Sequence, residues 1–237
     1  MSFLKAEWRK LAMANYEVDE SILQSYVPKG TELDIWNGTH YVSLIGFMFL
    51  NTKVLGIKIP FHVNFEEVNL RFYVRYKESG EWKRGVVFVK EIVPKAAITF
   101  VANTLYGEHY ATHRMRHSWE EKTDKRIVSY EWKIQNNWQR FSVEAERQLS
   151  KIEVGSETEF ITEHYWGYTK VNDRKTSEYE VTHPKWQQYL VKNYEVAVDF
   201  GLNYGEQFSF LNSAKPKSVM LAEGSEITVE GKRNLKV

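Results

Sequence analysis

The dipeptide Asn37-Gly38 is the feature that most limits what this chain can fold into. Asn-Gly suits the type I′ turn, whose two central residues need positive φ. It stands between two runs rich in strand formers, residues 31–36 and 39–50, so the pattern predicts a β-hairpin. The same reading extends along the chain. Strands are predicted at residues 8–18, 68–76, 83–92, 110–120, 126–133, 141–147, 164–169, 178–182 and 188–197, with terminal strands around Phe208, Val219 and Ile227. Helices are few. One is predicted at 20–26, capped by Asp19 and stopped by Pro28 and Gly30. Another spans 94–105, where Pro94 suits the first turn, Ala96, Ala97 and Ala102 favour the helix, and Gly107 ends it. Short helices are expected near 157–162 and 199–204. The predicted class is therefore α+β, mainly antiparallel β, with a sheet that curls toward a barrel or cone and so removes unpaired edges.

Nothing in the chain reads as a linker or repeat, and residues 1–237 are expected to form a single domain. Lys and Arg number 32 against 31 Asp and Glu, which supplies no electrostatic footprint for nucleic acid or an anionic membrane. There is no cysteine, so disulfides, thiolate nucleophiles and Cys-ligated zinc are excluded. The first residues lack the apolar run of a signal peptide and no stretch approaches the ~20 apolar residues of a membrane span, so the expected compartment is the cytoplasm. Dinucleotide, Walker, nucleophile-elbow and His-Glu-x-x-His motifs are missing, and no cofactor is expected. Aromatic residues make up 15%, including eight tryptophans, enough to line a pocket or fill a strand-rich core.

Three blocks carry a family resemblance: Trp8-Arg9 with Asn15-Tyr16-Glu17-Val18-Asp19, then Phe65-Glu66-Glu67-Val68-Asn69-Leu70-Arg71, then Tyr106-Gly107-Glu108-His109-Tyr110. Through them the chain resembles the DUF2071 family of bacterial proteins, itself similar to a distant branch of the acetoacetate decarboxylase-like superfamily. Phe160, His164-Tyr165-Trp166-Gly167-Tyr168 and His183-Pro184-Lys185-Trp186 resemble the uncharacterised family rather than the decarboxylases. The resemblance implies an antiparallel barrel or cone enclosing a cavity. It aligns Arg9 with an arginine that contacts a substrate carboxylate, Glu67 with one active-site glutamate, and Ser43 with the place of a second. The segment that bears the Schiff-base lysine in the decarboxylases reads Glu108-His109-Tyr110-Ala111 here, with Tyr110 at the lysine position.

These residues define the candidate chemistry. An arginine fork in an apolar cavity suits a carboxylate, which it binds through two oxygens; the structural alternative is an Arg9–Glu67 pair that neutralises itself. A phenol with pKa ~10 can donate a hydrogen bond or a proton but cannot form an imine. Tyr110 thus disfavours Schiff-base decarboxylation, and it also fits a core residue. His109 would bring a titratable ring to the same rim. The spacing of His109, His113 and His117 fits a metal on a helix, but on the predicted strand i and i+4 lie ~13 Å apart, too far for one ion. Three functions stay open: a protein that binds a small-molecule ligand such as a carboxylate, with Arg9, Ser43 and Glu108 as contacts; a lyase, isomerase or hydrolase that works on a keto or carboxylic acid through Glu67, Tyr110 and His109; or a structural protein whose site has degenerated. The chain specifies no oligomeric state.

Overall fold

The computed structural model describes residues 2–235, the side chains of Leu105 and Tyr106 excepted. In chain order the elements are β1 (Leu4–Glu17), α1 (Glu20–Leu23), β2 (Glu32–Leu33), β3 (Tyr41–Val54), β4 (Phe65–Glu78), β5 (Glu81–Val93), α2 (Ala96–Val101), β6 (Tyr110–Thr112) and β7 (Arg114–Glu121). There follow β8 (Arg126–Ile134), β9 (Asn137–Lys151), α3 (Glu157–Thr162), β10 (Trp166–Asn172), β11 (Lys175–Thr182), β12 (Gln187–Ala197), α4 (Phe200–Tyr204), β13 (Ser218–Val229) and β14 (Arg233–Asn234).

Alternation decides the architecture. In β4, residues 68, 70, 72 and 74 are apolar and fully buried on one face, while 67, 69, 71 and 73 fall on the other and are also buried. A strand buried on both faces needs two layers, and the sheet supplies them by curling. Strands β11, β10, β5, β4, β3, β1 and β13 pair in that order, and β13 returns to β11 through Val181–Val229 and Thr182–Thr228, which closes the ring. Pairing is antiparallel except between β5 and β10 and between β5 and β6. From β13 the sheet continues through β12, β9, β8 and β7 and folds back over the outer face of the ring. Tyr16, Leu44, Phe72, Tyr130, Trp132 and Phe141 belong to the core of this outer layer. Contact is close: a Cβ on Gly46 of β3 would lie 2.7 Å from the Tyr130 ring of β8. A second core inside the ring includes Phe47, Phe49, Phe65, Tyr73, Phe160 and Trp186.

Several expectations are corrected in detail. The Asn37-Gly38 turn forms, with φ of 48° and 78° and a bridge between Trp36 and Thr39. Its first arm does not pair with β3, however. Glu32 and Leu33 pair with Arg75 and Val74 of β4, and the Asp34 carboxylate is held by Arg84 at 2.6 Å. The long helix shortens to α2 and passes into a π-helical turn at Ala102–Tyr106, which Gly107 ends at φ 72°. The strand expected at Phe208 is a 3₁₀ helix, Glu206–Asn212, capping the outer core with Phe208 and Leu211. Among the described residues no helix is long and apolar enough to cross a membrane.

Candidate functional site

Inside the ring lies a cavity of about 300 Å³. Aromatic side chains, Trp8, Phe47, Phe49, Phe65, Phe88 and Trp186 among them, share its wall with aliphatic ones such as Leu11, Ile45 and Val181. Residues 54–62 and α2 form its mouth, through Ile59, His62, Ala97, Ile98 and Val101. Phe61 and Phe100, in the same two segments, are 86% and 71% exposed.

The polar groups come mainly from three neighbouring strands. The inward face of β4 presents Glu67, Asn69 and Arg71. Asn69 stands opposite Glu91 of β5, and Glu91 opposite Tyr110 of β6, so the three occupy adjacent positions across the sheet. The Tyr110 hydroxyl donates to Glu67 Oε2 at 3.2 Å and also bonds Glu91. The Asn69 amide donates to Glu67 Oε1 at 3.0 Å. Glu108, just before β6, accepts from the Thr169 hydroxyl at 2.6 Å and from Tyr179.

Three buried carboxyls in one cavity cannot all ionise easily. Burial first, then repulsion from Glu108, pushes Glu67 up to about 7, against the pull of its bonds from Asn69 and Tyr110. Burial likewise raises Glu108 to about 7. Burial, and then the charges of Glu108 and Glu67, holds Glu91 well above the usual carboxylate range. The same causes keep Tyr110 and Tyr179 neutral.

Arg71 is the cation of the cavity. It is 9% exposed, donates to the Ile161 carbonyl at 3.4 Å and lies 5.7 Å from the Tyr73 ring centre. Its Nε has no hydrogen-bond partner, and among the described residues no carboxylate comes within ion-pair distance. Beyond it, burial lowers His164 to about 4, so this ring is neutral, with Nε2 3.1 Å from Asp34. His183 is also lowered by burial and stacks on Trp186 at 4.2 Å.

Glu67, Glu108 and Tyr110 thus line the same cavity, and Arg9, Ser43 and His109 lie elsewhere. Arg9 follows Trp8, whose ring enters the cavity, so alternation turns the guanidinium outward to Glu7 at 2.7 Å and Glu223 at 3.9 Å. An Arg9–Glu67 pair therefore does not form. Ser43 is buried in a chain of hydroxyl and amide contacts with Asn15 and Tyr73, at 2.6 and 2.7 Å. His109 is exposed and borders a separate surface depression with Lys170 and Asn172. His113 is the residue between β6 and β7, His117 lies within β7, and among the described residues no cluster could hold a metal ion. Arg71, Glu91 and Tyr179 were not marked by the resemblance. The signal for Arg71 was present: Glu67, Asn69 and Arg71 recur at every second residue of a strand whose other face is apolar from Val68 to Val74.

Comparison with known proteins agrees with this fold. The architecture is similar to acetoacetate decarboxylase from Legionella pneumophila (TM-score 0.66, 13% identity, covering 98% of this chain and 86% of that one). It is similar also to the enduracididine biosynthesis enzyme MppR complexed with pyruvate (TM-score 0.67, 12% identity, 99% and 91%). An acetoacetate decarboxylase-like enzyme from Sphingomonas wittichii RW1 gives a TM-score of 0.64 at 10% identity, with 100% and 94% covered. In sequence, the chain is 28% identical over 228 residues to the uncharacterized protein YqjF of Bacillus subtilis, spanning 92% of this chain and 89% of that protein. The model of DUF2071, described as an uncharacterized conserved protein, matches residues 5–226, and the chain belongs to that family.

Proposed function

We propose that the protein binds a small organic carboxylate with an apolar body inside the ring, and that Arg71 holds the carboxylate. The observation that carries this reading is a buried guanidinium with an unpartnered Nε and no carboxylate in ion-pair distance. A buried charge left unpaired is strongly destabilising, whereas an incoming carboxylate would satisfy it through two parallel hydrogen bonds. The aromatic wall accounts for the apolar body. Pyruvate, seen in the similarly folded MppR, is a small acid of this kind. A purely structural role for the ring offers no reason to retain such a charge.

A thermal-shift screen of aliphatic and aromatic acids tests the reading. Acids that bind should stabilise the wild type by roughly 2.7 kcal/mol at about 100 times their dissociation constant. Arg71→Met should weaken them by about tenfold to a hundredfold. Equal shifts in Arg71→Met and wild type would remove Arg71 from the site, and Arg9→Met is expected to leave the shifts intact.

One observation favours catalysis in the same cavity. Glu67, titrating at about 7 and bonded to Tyr110, can both accept and return a proton near neutral pH. This supports acid–base chemistry on a bound keto or carboxylic acid, with Glu67 as the proton carrier and Tyr110 as hydrogen-bond donor. Among the described residues no lysine lines the cavity, and the Lys90 ammonium instead bonds the Asn203 carbonyl. Incubation with acetoacetate and borohydride should therefore leave the intact mass unchanged. A reduced adduct on any lysine would overturn that expectation.

A further inference from the structure

The acids of the cavity exceed what its one arginine can answer. Glu67 and Glu91 have no lysine or arginine within ion-pair distance among the described residues, while Glu108 feels the charge of Lys232. Two further acceptors are buried and unpartnered: Oε2 of Glu91, a residue 2% exposed, and Oδ1 of Asn69, 1% exposed. They belong to directly opposed residues of β5 and β4, and both residues line the cavity. Unmet acceptors in a buried site call for a donor that the chain does not supply. A metal ion is not that donor, because among the described residues no group of carboxylates and imidazoles converges to hold one.

We infer that the ligand brings a protonated amine as well as its carboxylate, the amine resting between Glu67, Asn69 and Glu91 while Arg71 takes the carboxylate, so that the ligand is an amino acid with an apolar side chain. The inference rests on the Arg71 reading for the carboxylate half. An ammonium carries three donors and one positive charge, which matches two orphan acceptors and a neighbouring acid. Asn69 and Arg71 are two residues apart on one face of β4, ~7 Å between Cα positions, so the two charged ends of a small zwitterion meet adjacent side chains. The aromatic wall then takes the side chain, and ring faces near an ammonium add their own attraction.

The charged and titratable groups around the amine position are Glu67 and Arg71 on β4, Glu91 on β5, Glu108 and Tyr110 at β6, and Tyr179 on β11. A cation there favours the ionised carboxyls, so its binding expels protons and strengthens as pH rises through about 7. A carboxylate without an amine meets the opposite trend, because each ionised glutamate repels it.

The test is calorimetric titration of the full chain with leucine, phenylalanine and tryptophan. Their des-amino analogues 4-methylpentanoate, 3-phenylpropanoate and 3-indolepropanoate, and phenethylamine, complete the set. At least one amino acid should bind tenfold or more tightly than its analogue at pH 8, with affinity rising from pH 6 to pH 8 while the analogue's falls. Glu91→Gln, checked for folding by circular dichroism, should weaken that amino acid at least tenfold. If no amino acid exceeds its analogue, or if Glu91→Gln leaves the affinity unchanged, the amine site is wrong. The carboxylate reading still stands in that case wherever Arg71→Met weakens the acids. If phenethylamine binds in a Glu91-dependent way while Arg71→Met affects none of the carboxylates, the carboxylate reading fails and the amine site survives.

Discussion

Between pH 6 and pH 8 the unliganded protein is expected to lose about 3 kcal/mol of stability, with a melting temperature lower by roughly 5–10 °C at the higher pH. The sign follows from the cavity acids. Glu67 and Glu108 titrate at about 7 in the folded chain and near 4.5 when unfolded, so the folded state holds more protons and stability falls as they leave. Each contributes about 1.4 kcal/mol over this range. Glu91, raised further, adds in the same direction. His164 works the other way: lowered to about 4, it disfavours the folded state as pH drops below 6.5, by about 1 kcal/mol at pH 6. His183 and the less buried His113, both also lowered, act with it. The acids lose their protons within this range whereas the histidines act only at its lower end, below about 6.5, so the net slope is downward. Glu91→Gln should accordingly be more stable than wild type at pH 8, since it removes the charge without removing the shape. Urea melts of both proteins at pH 6, 7 and 8 measure this. A wild-type stability that is flat or rising across the range would show that water or relaxation relieves the acids.

Gly224→Ala should destabilise by about 3–5 kcal/mol, because it combines a backbone clash with a left-handed φ. Gly224 stands opposite Arg9 where β13 meets the irregular part of β1, with φ at 83°. A Cβ there would lie 1.9 Å from the Trp8 carbonyl oxygen and 2.8 Å from Leu11. Both the handedness and the space are wrong, and the obstacle is backbone, which has nowhere to go. Relief requires parting β1 from β13 and shifting Trp8, part of the cavity wall. Gly80→Ala is the control: its φ is 92° but nothing lies within 4 Å, so only the conformational penalty of about 1 kcal/mol remains. Denaturation curves that put the two variants level would refute the close approach.

How far the sequence could be read depends on the range of the interactions. Local chemistry was legible: Asn37-Gly38 turns, Asp19 caps its helix, and Gly107 ends the π-turn. Pairing partners were not, because Glu32 and Leu33 choose β4 over the nearer β3, drawn by Asp34 reaching Arg84 and His164 across the ring. The site divides in the same way. Glu67 and Tyr110 were reachable by resemblance, but Arg9 was misplaced by one step of alternation beside an irregular strand, where Lys10 adopts φ 54°. Glu91 becomes informative only when β5 is laid beside Asn69 and Tyr110, a juxtaposition made by the fold.

The position of β1 has a kinetic consequence. One edge of it zips to β3, close in the chain, but the other takes β13, with Leu4 against Val229. Connections of such long sequence separation slow folding toward the millisecond-to-second range, because loop closure must precede the contacts that reward it. Until β13 arrives, β1 presents an unpaired edge whose buried stretch includes Leu11, Ala12, Met13 and Ala14, a template for association with other chains. Refolding at rising protein concentration should therefore lose yield before it loses rate, and a chain truncated ahead of β13 should aggregate rather than settle into a smaller fold.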